Sequence, residues 1–408
     1  MNPIQNPFSP GAGTPPPELA GRGQILESAS LALERARIGR SARSQMLLGL
    51  RGVGKTVLLN RIAETAEKAH FLSVVLEAPE ERPLAEMIIP PLRSMLFKLR
   101  RSEKAMASAK RALAVLRSFA SAFKFKVGEI EFGVEAEVGV GDSGALDVDL
   151  PEVFLSVAVA AQQAGTAIAV LLDEVQYLSA TDLGALITAV HRVSQRSLPF
   201  VLFGAGLPQL AGLAGEAKSY AERLFDYPNI GPLDDQAARD AVVAPLRRES
   251  TSIDDDALAL ILKETQGYPY FLQEWASHSW KEAAESRIHL ADVQRASIQS
   301  LCDLDAGFFR VRLDRLTPRE KDYVRAMATF GSGSHRSGEI AQVLKMDVTA
   351  AGPLRSGLIR KGMVYSPQHG DTAFTVPMFD EFMCRTMPNW SPSALVPGSK
   401  KKRRKKRM

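Results

Sequence analysis

The residues Gly49-Leu50-Arg51-Gly52-Val53-Gly54-Lys55-Thr56 have the spacing G-x-x-x-x-G-K-[ST]. Glycines at these intervals let the backbone curl until its N–H groups face a polyphosphate, and a lysine in this place reaches the β- and γ-phosphates. Lys55 is therefore the expected phosphate-reaching cation, and the hydroxyl of Thr56 an expected ligand for Mg²⁺. The apolar run Met46-Leu47-Leu48 stands before the loop, and Val57-Leu58-Leu59-Asn60-Arg61-Ile62-Ala63 after it carries apolar residues at helical spacing. The loop should thus join a buried strand to a helix whose N-terminus meets the anion.

A second site of chemistry lies 117 residues beyond Thr56, where Asp173-Glu174 ends the continuous apolar run Ala167-Ile168-Ala169-Val170-Leu171-Leu172. That run is too short for a membrane span and suits a strand buried on both faces. An acidic pair in this position can be an ordinary strand-end turn. Beside a phosphate-binding loop it predicts more: Asp173 as a holder of Mg²⁺ and Glu174 as the group that polarises an attacking water. Together the two motifs predict a nucleoside triphosphate site with Mg²⁺.

The elements that must position these groups follow a strand–helix alternation. Helical patterns run from about 24 to 37, 84 to 99, 104 to 120, 153 to 163 and 182 to 196. Apolar runs at 71–76 and 200–203 read as further strands. This alternation predicts an α/β fold, a parallel sheet with helices on both faces. Residues 1–16, rich in Pro, Gly and Asn, read as a disordered leader. Between 121 and 141 the apolar phase shifts across Gly128-Glu129, which predicts a hairpin insertion that docks on its own helices or on a partner. Residues 139–149 read as loop. From Leu233 onward the strand patterns stop, and helices near 235–246, 254–264, 268–284 and 290–302 predict a helical lid over 233–312.

Composition bounds the class. The 408 residues are 45% apolar and 24% charged, as in soluble globular chains, and have room for two or three domains. Neither an apolar span of membrane length nor an N-terminal signal pattern is present, and Cys302 and Cys384 form no disulfide framework or metal-ligand spacing, so the cytoplasm is the expected compartment. The net charge of +5 has a local origin, because Lys400 to Arg407 are eight consecutive basic residues. Without them 43 Lys and Arg stand against 46 Asp and Glu, so the body is about −3. The tail, 391–408, reads as a disordered polybasic arm for DNA, RNA or anionic lipid, or as a solubility device.

These motifs in this order resemble the AAA+ superfamily, and within it the STAND-type ATPases and the archaeal replication-initiator-like ATPases. The resemblance covers residues from about 17 to 388. Pro17-Glu18-Leu19-Ala20-Gly21-Arg22 is similar to the short box that borders the adenine pocket, which implies a nucleotide-binding role for Gly21 and Arg22. Gly49 to Thr56 and Leu171 to Glu174 match Walker A and Walker B, so the resemblance implies an ATPase base over 17–232, with ATP as its nucleotide. Tyr220-Ala221-Glu222-Arg223-Leu224-Phe225 looks like the helix that carries an arginine finger, which makes Arg223 either a catalytic group for a neighbouring subunit of a homo-oligomer or a solvated surface residue. Gly267-Tyr268-Pro269 looks like the lid motif that approaches nucleotide, and implies that role for Pro269. Two departures stand out. After the strand ending at Phe203 the family often places a polar sensor residue, whereas Gly204-Ala205-Gly206 stands here, and the lid lacks a sensor arginine.

Residues 313–390 follow a different logic. Thr317-Pro318-Arg319-Glu320 is a helix start, with Thr as cap, Pro in the first turn and Glu at the third position. Short helices at 337–344 and 348–361 and strands at 362–365 and 372–376 complete an order similar to a winged helix. In a DNA-binding version Arg355, Arg360 and Lys361 would touch duplex DNA from the third helix. The alternative is an internal clamp on the ATPase. Two functions are therefore expected: an ATP-controlled DNA-binding protein, or a STAND-type signalling switch that controls protein–protein contact with little ATP turnover.

Overall fold

A computed structural model describes residues 1–78, 82–99, 103–123 and 132–392. The chain divides into two compact units, Met1–Cys302 and Asp303–Met408. In the first unit, β1 (Ser44–Leu48), β2 (Phe71–Glu77), β3 (Ala167–Asp173), β4 (Phe200–Gly206) and β5 (Phe225–Asp226) form a parallel sheet in the order β2-β3-β4-β1-β5. The two central positions explain the uninterrupted apolar runs. In β3 every residue is buried, Ile168, Val170 and Leu172 toward one core and Ala167, Ala169 and Leu171 toward the other.

Helices α1 (Gly23–Arg37) and α2 (Lys55–Lys68) cover the second of these faces. The first is covered by α3 (Leu84–Lys98), α4 (Glu103–Ala122), α5 (Leu146–Gln163) and α6 (Ala180–Gln195). Small alanines on β3 let α2 approach closely, which brings the loop before it over the carboxyl ends of the strands. Two short helices, α7 (Leu210–Ala217) and α8 (Ala221–Leu224), lead to edge strand β5. The lid helices α9 (Asp235–Arg248), α10 (Asp255–Thr265), α11 (Pro269–Glu282) and α12 (Leu290–Asp303) lie where the periodicity predicts them. A two-residue parallel bridge between β6 (Ser252–Ile253) and β7 (Arg287–Ile288) adds strands that the sequence reading did not expect in the lid.

Three expectations need correction. The leader is ordered: Phe8 is buried, Asn6 Nδ2 donates to the carbonyl and hydroxyl of Ser277 at 3.1 Å, and Ser9 N–H donates to Gln273 Oε1 at 3.4 Å, all along α11. One aromatic ring and a few backbone partners are enough to seat a segment whose composition reads as disordered. Helix α5 begins at Leu146, inside the expected loop, because the Asp149 carboxylate accepts the Ser143 and Gly144 N–H groups at 3.1 and 2.9 Å. The lid ends at Cys302, not at 312, since Leu304 and Phe309 are buried in the second unit, where Phe309 stacks on Phe382 at 5.1 Å.

The expected hairpin turn lies within 124–131, outside the described residues, as does the polybasic run. Just after it, Phe132 is buried, Arg117 donates to the Val134 carbonyl and Ser118 Oγ donates to the Glu137 carbonyl at 2.8 Å, so this stretch packs on α4 of its own chain.

The second unit holds a π-helical turn (Leu304–Phe309), α13 (Arg310–Asp314), α14 (Pro318–Ala328), α15 (Ser337–Val343), α16 (Val348–Arg360) and α17 (Phe379–Thr386). A three-stranded antiparallel sheet joins them, β8 (Ser334–Arg336), β9 (Val364–Tyr365) and β10 (Asp371–Phe374) in the order β8-β10-β9. The expected capping box is present, with Glu320 accepting the Thr317 N–H at 2.7 Å and Thr317 Oγ1 accepting the Glu320 N–H at 3.4 Å. No helix among the described residues is long and apolar enough to cross a membrane.

Candidate nucleotide-binding site

The loop Gly49–Thr56 leaves β1 beside β4, where Gly49 N–H donates to the Gly206 carbonyl at 3.1 Å. Gly49 is required by close approach, since a Cβ there would stand 2.3 Å from the Ile230 carbonyl oxygen. Leu50 and Arg51 carry the turn outward, and Val53 is buried against the α2 side of the sheet. Gly52 and Gly54 take φ of 82° and 91°, and Gly54 caps α2 in the left-handed region, so the N–H groups of the helix start stay unpaired for an anion.

Lys55 is buried, 7% exposed, and its Nζ donates to the carbonyls of Gly49 and Leu50 at 2.9 Å each. Burial lowers its pKa from 10.5 to about 8, against the opposing pull of Glu174 and Asp173. A buried ammonium held mainly by loop carbonyls is a site short of negative charge. Thr56 Oγ1 donates to Asp173 Oδ2 at 2.5 Å, and burial raises the Asp173 carboxyl above its ordinary range although Thr56 and the Glu174 N–H both bond to it. A hydroxyl and a carboxylate so placed form a hard-oxygen pair suited to Mg²⁺.

Glu174 sits in the left-handed region with φ 53°, on the turn that carries β3 into the 3₁₀ segment Val175–Tyr177. Its Oε1 accepts from Arg51 at 3.4 Å, its Oε2 accepts from Gln176 Nε2, and Arg51 also donates to the Tyr177 hydroxyl at 2.6 Å. Sequence reasoning placed Arg51 in the phosphate loop as a backbone contributor and missed that its side chain crosses to the acidic pair. It missed Gln176 altogether.

Arg22 is buried and donates to the carbonyls of Val53 at 3.2 Å and Gly231 at 2.5 Å. Burial pushes its pKa down, with Asp234 opposing. It therefore ties the phosphate loop to the segment between β5 and α9 that leads into the lid, and Gly21 before it (φ 68°) turns the chain against Ala237. Pro269 opens α11, and the N–H of the next residue, Tyr270, donates to the Gly52 carbonyl at 3.2 Å. The lid motif thus touches the phosphate loop. Arg223 is elsewhere: it is exposed on α8 at the β5 edge of the sheet, and among the described residues its side chain has no hydrogen-bond partner.

In the second unit, Arg355 donates to Thr372 Oγ1 at 2.8 Å, Ser366 Oγ at 2.7 Å and the Asp371 carbonyl at 2.8 Å. Lys361 donates to Glu320 Oε2 at 2.6 Å and to the Arg315 carbonyl at 3.0 Å. Two of the three basic residues expected to meet DNA therefore bind their own unit, and only Arg360 is exposed.

A parallel sheet with a phosphate loop after β1 and an acidic pair after β3, one strand away, defines a P-loop nucleotide-binding fold. Residues 18–203 match the family model of the AAA ATPase domain, and this part of the chain is an AAA ATPase domain of the AAA+ class. Residues 306–383 match a second family, described as a domain of unknown function. No curated protein matches the chain. Among solved structures, a Walker-type ATPase of Pyrococcus abyssi is similar with 17% identity and a TM-score of 0.58, over 91% of this chain and 98% of that one. The Orc1 protein of Aeropyrum pernix, solved with DNA, has 16% identity and a TM-score of 0.44 over 90% and 93% of the chains. The RuvB Holliday junction branch migration motor of Thermotoga maritima has 15% identity and a TM-score of 0.44 over 92% and 97%.

Proposed function

We propose that the protein binds and slowly hydrolyses ATP, and that the nucleotide state governs the C-terminal unit, read as a winged helix that contacts duplex DNA together with the basic run 400–407. The buried Lys55 between two loop carbonyls carries the nucleotide part of this reading. In the proposed reaction the loop N–H groups and Lys55 hold the β- and γ-phosphates, with Gly21, Arg22 and Pro269 around the nucleotide. Thr56 and Asp173 would hold Mg²⁺, which would supply positive charge against the phosphate oxygens. Glu174 orients a water and accepts its proton as the water oxygen bonds to the γ-phosphorus and the bond to the β-phosphate bridging oxygen breaks, leaving ADP and phosphate. An exposed Arg223 is suited to act on a neighbouring subunit's nucleotide in a homo-oligomer.

The order of helices and the three-stranded sheet favour the DNA reading. The internal bonds of Arg355 and Lys361 favour the second one, a STAND-type switch that acts on a protein partner. Steady-state turnover of full-length protein with and without duplex DNA, beside duplex affinity at several salt concentrations, separates them. DNA-stimulated turnover and an affinity that falls steeply with salt support the first. Absence of DNA binding with nucleotide-dependent self-association supports the second.

A further inference from the structure

The strand β4 ends in Gly204-Ala205-Gly206, where a polar sensor residue would be expected, and the structure puts a different side chain in that place. A Cβ on Gly206 would lie 2.6 Å from Gln176 Oε1, so the bare glycine is what leaves room for the glutamine. Gln176 Oε1 accepts the N–H of Leu207, the first residue after β4, at 3.0 Å. A backbone N–H can only donate, which fixes the amide's orientation: the oxygen faces Leu207 and the Nε2 group faces Glu174, whose Oε2 accepts from it. One amide thus joins the end of β4 to the carboxylate beside the phosphate loop.

We propose that Gln176 is the positioning residue for Glu174, doing from the 3₁₀ turn after β3 what a polar residue at the end of β4 would otherwise do. The inference rests on Glu174 being the base. The Glu174 carboxylate has one oxygen toward Arg51 of the loop and the other toward Gln176. Arg51 belongs to the phosphate loop, while Gln176 is anchored to the end of β4 through the Leu207 N–H. The amide is therefore the fixed reference that aims the carboxylate, and it acts on the chemical step without touching nucleotide.

Gln176→Ala in the full-length protein tests this. Its kcat should fall about 10- to 100-fold, the loss expected when a reacting group is misplaced by about an ångström, while the Kd for ATP and KM stay within about 2-fold of wild type. Gly206→Ala, which pushes a methyl against the amide, should lower kcat in the same way. In the double variant the two losses should not fully multiply, since the alanine at 176 removes the collision with the amide and leaves only the contact with Leu210 Cδ2 at 2.9 Å. A normal kcat in Gln176→Ala, an equal loss of ATP affinity, or fully multiplying losses would each overturn the proposal. Glu174→Gln, measured alongside, separates the failures. Normal turnover in that variant, or none in wild type, removes the base assignment and the inference with it. A dead Glu174→Gln beside a normal Gln176→Ala removes the inference alone.

Discussion

Replacing Lys55 by methionine should make the nucleotide-free protein more stable while abolishing ATP binding. The folded chain holds an ammonium at 7% exposure whose pKa drops from 10.5 to about 8. At 1.36 kcal/mol per unit, that drop corresponds to roughly 3 kcal/mol of cost for keeping the charge inside. The sign follows from proton binding. Below pH 8 both folded and unfolded chains carry the proton, so the folded state bears the full cost. Between pH 8 and 10.5 the unfolded chain holds more proton than the folded one, so wild-type stability rises with pH through this window. Methionine keeps the length of the stem without the charge, although it leaves the Gly49 and Leu50 carbonyls to water, which offsets about 1 kcal/mol or more of the gain. With nucleotide absent and a chelator present, thermal unfolding at pH 7 should place Lys55→Met several degrees above wild type. The gap should narrow steadily from pH 8 to 9.5. Adding Mg·ATP should reverse the order, because only wild type gains binding energy. A wild type more stable than the variant at pH 7, or a gap that ignores pH, would refute the view that the free site is short of negative charge.

Other outcomes follow from the same geometry. Glu174→Gln should keep ATP affinity within a few-fold and lose turnover, as read by nucleotide binding and phosphate release on one preparation. Arg223→Ala should lower turnover only where the protein self-associates, so a full effect in a proven monomer by light scattering would remove its role in trans. Phe8→Ala empties a buried site against the lid and should destabilise the first unit by about 3 kcal/mol, with amide exchange rising first along α11. No change in that exchange would show that the leader's docking does not support the lid.

The parts of the site that could be read from the sequence were those set by local chemistry. The phosphate loop, the acidic pair and strands β1, β3 and β4 lie where apolar runs buried on both faces must end in polar turns. Lys55, Thr56 and Asp173 come together in the structure because parallel order leaves only β4 between β1 and β3. What stayed hidden depends on partners distant in the chain. Phe8 looks like part of a Pro-Gly leader until α11 is beside it. Strands β5, β6, β7 and β8 have two or three residues each, too few for any period to show. Helix α5 did carry a local signal, Asp147 and Asp149 in its first turn, which complement a helix N-terminus. Arg355 of α16 and Lys361 just after it expose the limit of counting charge: the sequence shows both cations, but not that the Thr372 and Ser366 hydroxyls, the Asp371 carbonyl and the Glu320 carboxylate sit within their reach.

Around the phosphate loop the side chains, unlike the N–H groups at the start of α2, are bonded within the chain. Lys55 is tied to two carbonyls, Thr56 to Asp173, and Arg51 to Glu174 and Tyr177. An entering Mg·ATP must exchange the first two sets for phosphate and metal, and each such bond, having one charged partner, is worth about 1.5 kcal/mol or more net. Two or three such bonds therefore weaken binding by at least about 100-fold relative to a loop already open. That loss is differential, because it is absent once phosphate is in place, and a differential term is what lets a ligand shift a conformational equilibrium. The link from Gly52 to Tyr270 carries the same change to the first turn of α11. In the proposed reading, a loop bonded to the lid in this way would report occupancy as well as hold nucleotide. Arg51→Ala separates these two roles: it releases one Glu174 oxygen, the other still held by Gln176, and breaks no bond of Lys55 or Thr56, so it should leave ATP affinity nearly unchanged and raise basal turnover. Unchanged turnover in that variant would mean that the Arg51–Glu174 pair does not restrain the base.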